Sequence, residues 1–256
     1  MNDPGGTGAF DTGAFDDVEV IGFDADDTLW SSEDSFHAAE QRFVELLDPF
    51  TPDGIDLDAA LHATERANLA ISGYGVKAFT LSMVQAAVSV SDGRVPSSVI
   101  GELVELGHSM LTETVQLLPH VPEVLAALGT SHRLVLVTKG DLVHQTRKIT
   151  TSGLDHHFEY VEVVLEKDPG TYDRILRHVG VEPRRFCMVG NSVRSDILPV
   201  LALGAHGVHV PYHLTWAHER VDDHDQQFVE LASLADLPPL FTPERRRVGG
   251  EAAAAR

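Results

Sequence analysis

The sequence is poor in cysteine, with Cys187 as the only one among 256 residues. An internal disulfide is therefore impossible, which excludes a disulfide-stapled secreted scaffold and makes the reducing cytoplasm the compartment we expect. Cys187 lies inside the apolar run RFCMVG. In that setting, a small buried core residue is a better interpretation than a nucleophile.

Long apolar runs and basic residues are scarce as well. No stretch approaches the roughly 18 apolar residues of a membrane-spanning helix, and the first residues lack the basic start and apolar segment of a signal peptide. The chain has 19 Lys and Arg against 39 Asp and Glu, a formal charge of −20. This imbalance argues against nucleic acid and an anionic membrane surface as partners. It does not exclude a small anionic substrate, because a metal or a lysine can dominate the local field.

Both ends of the chain are biased in composition. Residues 1–17 are rich in Gly, Asp and Thr, and residues 241–256 carry three consecutive Arg and a run of Ala. Segments of this kind bury little apolar surface, so we expect two mobile tails.

Between the tails, short Val-rich runs alternate with amphipathic segments. The runs are nearly continuous in apolar residues, as is typical of parallel strands covered on both faces. They occupy residues 18–23, 133–138, 160–165, 185–190 and 206–211. Helical patterns lie at about 121–129, 141–152, 170–179 and 194–203. This alternation predicts an α/β fold with right-handed crossovers and a doubly wound, Rossmann-like parallel sheet.

One long segment interrupts the alternation. Residues 31–117 contain no convincing strand, and their periodicity predicts helices at about 34–47, 56–71, 75–90 and 97–114. We therefore expect an all-helical domain at 31–117, inserted into a core that is formed by residues 18–30 and 118–240.

Polar residues follow each strand, where doubly wound sheets bind their ligands. Asp24 and Asp26 come just after the first strand, and neighbouring carboxylates repel unless a cation or a shared proton relieves them. Carboxylate and amide oxygens suit Mg²⁺, whereas hydroxyl and ammonium groups suit phosphoryl oxygens. Such groups follow the other strands: Thr138, Lys139, Asp141, Lys167, Asn191, Ser192, Ser195 and Asp196.

These motifs resemble those of the haloacid dehalogenase superfamily. DADDT fits its first motif, Asp-x-Asp-x-Thr, and GNSVRSD fits its fourth. Thr138 fits the second motif and Lys167 the third. The resemblance covers about residues 18–215, and the helical insertion lies where the family carries a C1 cap.

The resemblance implies a Mg²⁺-dependent phosphatase that hydrolyses a small phosphomonoester through an aspartyl-phosphate. Asp24 would be the nucleophile and Asp26 the general acid and base. For these roles we expect neighbouring negative charge to raise the pKa of Asp26, while the metal keeps Asp24 ionised. Thr138 would hydrogen-bond a phosphoryl oxygen, and Lys167 would pair with Asp24 and the phosphate.

The same resemblance implies a metal site. Its ligands would be the Asp24 side chain, the Asp26 backbone carbonyl and residues of the fourth motif, Asn191 and Asp196. The family usually has Asp at the position of Asn191. An amide brings no charge, so we expect weaker Mg²⁺ binding or a larger role for Asp196.

Residues beside the motifs are candidates of lower rank. Asp27 is expected to brace the turn. Lys139 is either a substrate contact or a solvated loop lysine. In the loop 71–80, Tyr74 and Lys77 are candidates for selecting the leaving group, and the alternative is an ordinary turn that starts a helix.

The histidines of the segment 206–218 match no known set of zinc ligands. We expect them to line the mouth of the cleft together with Trp216.

Other functions stay open within this fold. A 2-haloacid dehalogenase attacks carbon and lacks an acid at the position of Asp26, and a phosphomutase needs a longer-lived aspartyl-phosphate. A binding or regulatory protein that has lost catalysis is a third alternative, supported only by Asn191. The sequence leaves the particular phosphomonoester open, and it is compatible with a monomer or a homodimer.

Overall fold

The computed structural model describes residues 15–214, residue 219 and residues 226–241. The expected tails lie almost entirely outside this part of the chain, as do Trp216 and His218. At both boundaries the core extends further than predicted. Phe15 is buried, and its ring packs edge-on against that of Phe241, with the centroids 5.5 Å apart.

A sheet of six parallel strands forms the core, in the order β3-β2-β1-β4-β5-β6. The strands are β1 Val20–Phe23, β2 Arg133–Lys139, β3 Tyr160–Val164, β4 Phe186–Gly190, β5 His206–His209 and β6 Val229–Glu230. The predicted doubly wound parallel sheet is confirmed. Strand β6 was not predicted, because two residues are too short to form a hydrophobic pattern.

Eight α-helices accompany the sheet in the described residues. They are α1 Glu33–Leu47, α2 Leu57–Ser72, α3 Val76–Val90, α4 Ser97–Thr112, α5 Val121–Leu128, α6 Leu142–Ser152, α7 Pro169–Val179 and α8 Leu198–Leu201. Only the helix predicted at about 194–203 differs clearly from the structure, because residues 193–197 form a wide π-type turn before the short α8. No helix in the described residues has both the length and the apolarity that crossing a membrane requires.

Helices α1–α4 form a separate hydrophobic core. Phe43, Leu61, Met83 and Leu103, one from each helix, are fully buried in a single apolar cluster. Two further clusters of apolar side chains fill the sheet domain. Helices α1–α4 thus bury their apolar stripes mainly on one another, and their polar faces are free to cover the sheet domain. We call residues 31–117 the cap.

The order of the strands fixes the place of the site. Strand β1 is central and fully buried, with β2 on one side and β4 on the other. The chain proceeds outward from β2 to β3 in one direction and from β4 to β6 in the other, so the winding reverses between β1 and β4. Ligands of such sheets bind in the crevice beyond the carboxyl ends at this switch point.

Two glycines of α4 provide a test of the cap packing. A Cβ at Gly107 would lie 2.1 Å from Thr80 Oγ1 of α3, whereas a Cβ at Gly101 meets nothing within 4 Å. We expect Gly107→Ala to lower the free energy of unfolding by about 1–3 kcal/mol through overpacking. Gly101→Ala should raise it by about 0.5–1 kcal/mol through helix propensity. Urea titration measures both values.

Thr80→Ala removes the atoms nearest to Gly107 and should restore most of the stability lost in Gly107→Ala. Equal effects of the two glycine substitutions would contradict close packing of α3 on α4.

Candidate active site

Asp24 is held at the carboxyl end of β1. Its backbone N–H donates to the carbonyl of Val189 in β4 at 2.9 Å, which continues the parallel pairing past the strand. The Thr28 hydroxyl donates to Asp24 Oδ2 at 3.1 Å. The motif residues Asp24 and Thr28 thus meet across one tight turn, with the Asp24 side chain directed beyond the sheet.

Asp27 stabilises the turn that carries this motif. It has a positive φ of 63°, which Asp tolerates better than most residues. Its carboxylate accepts the backbone N–H groups of Ser32 at 2.8 Å and Glu33 at 3.1 Å, at the start of α1. Burial, with Asp26 adding to it and these hydrogen bonds opposing it, raises the pKa of Asp27 to about 7. The interpretation of Asp27 as a brace is confirmed.

Lys167 lies between two buried carboxylates. Its ammonium donates to Asp24 Oδ1, and to Asp196 Oδ1 at 2.6 Å. The other oxygen of Asp196 accepts the backbone N–H of Ser192 at 3.0 Å. A Cβ at Gly190 would lie 2.2 Å from Asp196 Oδ2, so only glycine lets this carboxylate approach β4.

Burial dominates the ionisation of Asp24. It raises the pKa of Asp24 to about 7, with Lys167 opposing the shift and Asp196 adding to it. The expectation of an ionised Asp24 assumed the charge of a bound metal. In the protein alone, Lys167 is shared between two carboxylates, and the desolvation of Asp24 is only partly offset.

Asp26 has surroundings that the sequence did not reveal. It accepts hydrogen bonds from Trp30 Nε1 at 2.6 Å, from Gln145 Nε2 at 2.8 Å and from the ammonium of Lys148. Burial alone would raise the pKa of Asp26, but Lys148 and the hydrogen bonds together lower it. The expectation of a raised pKa is therefore wrong, because its basis was the neighbouring carboxylates alone.

Gln145 and Lys148 are site residues that the sequence analysis missed. They lie on one face of α6 with His144, and all three line the same cavity as Asp26. Their spacing of three and four residues is the only signal that could have found them, and many solvated helix faces share it.

The donor set at the end of β1 fits a hard cation. Asp24 Oδ2 and Asn191 Oδ1 both face the Thr28 hydroxyl, at 3.1 and 3.4 Å. Carboxylate and amide oxygens brought this close are the ligands that Mg²⁺ prefers. Asp196 differs, because Lys167 and the Ser192 N–H engage its two oxygens. This arrangement favours Asp196 as a partner of Lys167 over Asp196 as a metal ligand.

Thr138 and Lys139 lie at the end of β2, beside Asp24. Thr138 is 1% exposed and lines the cavity. Lys139 donates to Ser195 Oγ at 2.8 Å and pairs with Glu219. Its side chain is only 15% exposed, so the alternative of a solvated lysine is wrong. Nothing in the sequence indicated the role of Glu219, which also accepts from the Ser192 hydroxyl.

The cap loop contacts the sheet domain beside the cavity. The Tyr74 hydroxyl donates to Glu166 Oε2 at 2.6 Å, and the Lys139 ammonium lies 4.6 Å from the centre of the Tyr74 ring. Lys77 donates to Asp141 Oδ1 at 2.9 Å. Tyr74 lines the cavity, whereas Lys77 is engaged at its rim. The loop is therefore more than an ordinary turn, and it joins the cap to the core.

A cavity of about 170 Å³ between cap and sheet brings the predicted residues together. Of the predicted site residues, Lys77 alone is missing from its lining. The lining includes Asp24, Asp26, Tyr74, Thr138, Lys139, Lys167, Asn191 and Asp196.

The histidines after β4 contact neighbouring chain segments. His209 shares a hydrogen bond with the Asn191 carbonyl at 3.0 Å and another with Glu230 at 2.9 Å. His206 bonds the Arg184 carbonyl, and His213 pairs with Asp34. In the described residues, the only three or more His, Cys, Asp or Glu side chains that lie close enough together to hold a metal ion are Glu40, His62 and Glu65 in the cap. The prediction that residues 206–218 line the cleft mouth is therefore not supported for these three histidines.

Comparison with known proteins agrees with this geometry. The family model for haloacid dehalogenase-like hydrolases matches residues 18–204. The glyceraldehyde 3-phosphate phosphatase of Methanothermobacter thermautotrophicus is 24% identical over 237 residues, which are 87% of this chain and 98% of that protein.

Solved structures share the architecture. A haloacid dehalogenase-like family hydrolase from Xanthomonas campestris is 40% identical, with a TM-score of 0.78 over 87% of this chain and 89% of that one. A 2-haloacid dehalogenase from Pseudomonas syringae pv. tomato is 20% identical, with a TM-score of 0.57 over 87% and 97%. At that identity, the likeness shows the fold alone.

The fold and the site together define an α/β enzyme with a helical cap over its cavity. The family match extends over most of the chain, and the protein belongs to the haloacid dehalogenase-like hydrolases. The resemblance drawn from the four motifs is thereby confirmed, and so is the prediction of a hydrolase.

Lys167→Met tests the electrostatics of the site. It leaves two buried carboxylates without their cation, and breaking such a pair costs about 3–5 kcal/mol. The pKa of Asp24, already raised, should rise further. Because the pKa of Asp24 is already about 7 in the native protein, only the variant keeps this proton at higher pH, so its loss of stability relative to the native protein should grow as the pH rises above about 7. Urea unfolding in EDTA, at several pH values, measures it.

Lys77→Met is the matched control, because the Lys77–Asp141 pair is half exposed and should contribute less than about 1 kcal/mol. A loss in Lys167→Met that is as small as in the control, or independent of pH, would contradict the assignment of Lys167 as a buried counter-ion.

Proposed function

We propose that the protein is a Mg²⁺-dependent phosphatase that hydrolyses a small phosphomonoester through an aspartyl-phosphate on Asp24. The observation that carries this proposal is the Asp24 carboxylate at the sheet's switch point, paired with Lys167 and sharing one cavity with Thr138 and Asn191. The curated relative named as a phosphatase supports the same class of substrate.

In the first half-reaction, an Asp24 oxygen attacks phosphorus and the bond from phosphorus to the leaving oxygen breaks. Asp26 gives its proton to that oxygen, and the alcohol departs. Lys167 and the Thr138 hydroxyl hold the phosphoryl oxygens as their charge changes.

In the second half-reaction, water attacks phosphorus, Asp26 takes a proton from the water, and the bond to Asp24 breaks. The hydrogen bonds from Lys148, Gln145 and Trp30 favour ionised Asp26, the form that this step requires. The acid form that the first step requires must be reached against these contacts.

Mg²⁺ would be held by the Asp24 side chain, the Asp26 carbonyl and Asn191, and it would neutralise the repulsion between Asp24 and the phosphate. Asp196 would position Lys167 and the loop after β4 by the contacts of its two oxygens.

The alternatives have less support. A 2-haloacid dehalogenase needs no acid–base group at the position of Asp26. The similarity of this chain to a solved dehalogenase is one of fold alone. A phosphomutase would need water to be kept from the aspartyl-phosphate, and a regulatory protein would not need Asp24, Asp26, Thr138 and Lys167 in one cavity. The free, buried Cys187 suits the cytoplasm, which we propose as the compartment.

A phosphatase assay tests the proposal directly. We expect the protein to release phosphate from p-nitrophenyl phosphate and from a panel of small phosphomonoesters with Mg²⁺, and to lose this activity in EDTA. Asp24→Asn should lower kcat by about 10³-fold or more, because the nucleophile is removed. Mass spectrometry of acid-quenched enzyme should show a phosphate mass on the peptide that contains Asp24.

Chloride release from 2-chloropropionate without metal, with no phosphate release from any ester, would overturn the proposal in favour of a dehalogenase.

Asn191→Asp tests the metal site. A second carboxylate beside Asp24 should increase the attraction for a divalent cation, so the Mg²⁺ concentration for half-maximal activity should fall several-fold. Gln226→Glu is the control, because it makes the same change of charge at a residue that does not line the cavity. An unchanged Mg²⁺ dependence of Asn191→Asp would remove Asn191 from the metal site.

A further inference from the structure

The cavity has two walls of different charge. Its lysines, Lys139, Lys148 and Lys167, all belong to the sheet domain, where each pairs with a carboxylate. The cap wall contributes no lysine or arginine among the described residues that line the cavity. A phosphate that is bound at Asp24 therefore has its positive partners beneath it, and its leaving group faces the cap.

The cap wall is built from the faces of three helices. Helix α1 presents Glu33, Phe36 and Glu40 at spacings of three and four residues, which lie on one helix face. Helices α2 and α3 complete the wall with Glu65, Asn68, Leu69, Ala78, Phe79 and Ser82. The wall thus combines three carboxylates with two aromatic rings.

These carboxylates lack a permanent counter-charge. Within the described residues, the basic groups within 4.0 Å of Glu40 and Glu65 are the histidines His37 and His62, and Glu33 has no basic group that close. His62 Nδ1 is shared between Glu40 at 3.7 Å and Glu65 at 3.3 Å. A cation brought among them would relieve their repulsion.

Two further observations describe this wall. Burial, with Asp27, Glu40 and Glu65 adding to it, raises the pKa of Glu33 to about 8, and an ammonium group bound beside it would lower this pKa and favour the carboxylate. The rings of Phe36 and Phe79 pack edge-to-face, with their centroids 5.2 Å apart, within the same wall. Aromatic rings beside carboxylates form a favourable surface for an ammonium group.

We propose that the cap wall selects phosphomonoesters whose leaving group carries an amine, and that Glu33, Glu40 and Glu65 bind this positively charged amine. The inference rests on the proposed phosphatase function and narrows its substrate class. The same wall disfavours leaving groups that carry a carboxylate.

Four probes of similar size test the proposal: O-phosphoethanolamine, n-propyl phosphate, phosphoglycolate and glycerol 1-phosphate. They carry a cationic, an apolar, an anionic and a polyol leaving group. We expect kcat/KM for O-phosphoethanolamine to exceed that for n-propyl phosphate by about tenfold or more, which corresponds to about 1.4 kcal/mol. Phosphoglycolate should be the poorest of the four.

Charge-neutral variants assign the effect to the wall. Glu65→Gln and Glu33→Gln should each lower the preference for the amine over the propyl ester several-fold, through KM more than kcat. Glu45→Gln is the matched control, on the same helix as Glu33 but 65% exposed and paired with Arg42. It should leave the preference unchanged.

Calorimetric binding of the four esters to the Asp24→Asn protein gives the same ranking without turnover. Equal kcat/KM values for the amine and propyl esters would overturn the proposal, as would a preference for glycerol 1-phosphate. A preference that survives in both Glu65→Gln and Glu33→Gln would overturn it as well. If the panel and p-nitrophenyl phosphate are hydrolysed without an amine preference, this inference alone fails. If no ester is hydrolysed, the proposed function fails with it.

Discussion

The ion pair between Lys167 and Asp24 is the contact on which the site depends. Both groups are buried, and a second carboxylate, Asp196, approaches the same ammonium. Such groups are stable in a protein interior only when they compensate one another. The lysine follows β3, and the carboxylates follow β1 and β4, so this cluster requires the three strands to keep their register. The absence of a side chain at Gly190 belongs to the same arrangement, since it makes room for Asp196.

Except for Tyr74 of the cap loop, the predicted site residues that line the cavity all lie at or just after strand ends. Parallel strands bring their carboxyl ends to one edge, so the order of apolar runs and the polar residues after them were sufficient for Asp24, Thr138 and Lys167. Lys148 and Gln145 could not be found in this way, because the side of α6 that meets Asp26 depends on how the helix docks. Because Lys148 was missed, the pKa of Asp26 was expected to be raised, whereas it is lowered. Lys148 lies 122 positions away from Asp26 in the chain.

The cap, too, could be predicted from the sequence only in part. Its helices were predicted from periodicity, because each buries an apolar stripe in a common core. Which polar face turns toward the cavity depends on the packing of one helix on another, and close contacts such as that of Gly107 with Thr80 set this packing. The carboxylates of α1 and α2 therefore could not be recognised as one surface from their positions in the sequence.

Asp141 contacts both the start of α6 and the cap. One of its oxygens, Oδ1, accepts the His144 N–H at the start of α6 and also the ammonium of Lys77 from the cap. The helix that begins there carries Gln145 and Lys148, which hold Asp26. A single carboxylate oxygen therefore joins the cap loop to the first turn of the helix whose side chains contact Asp26.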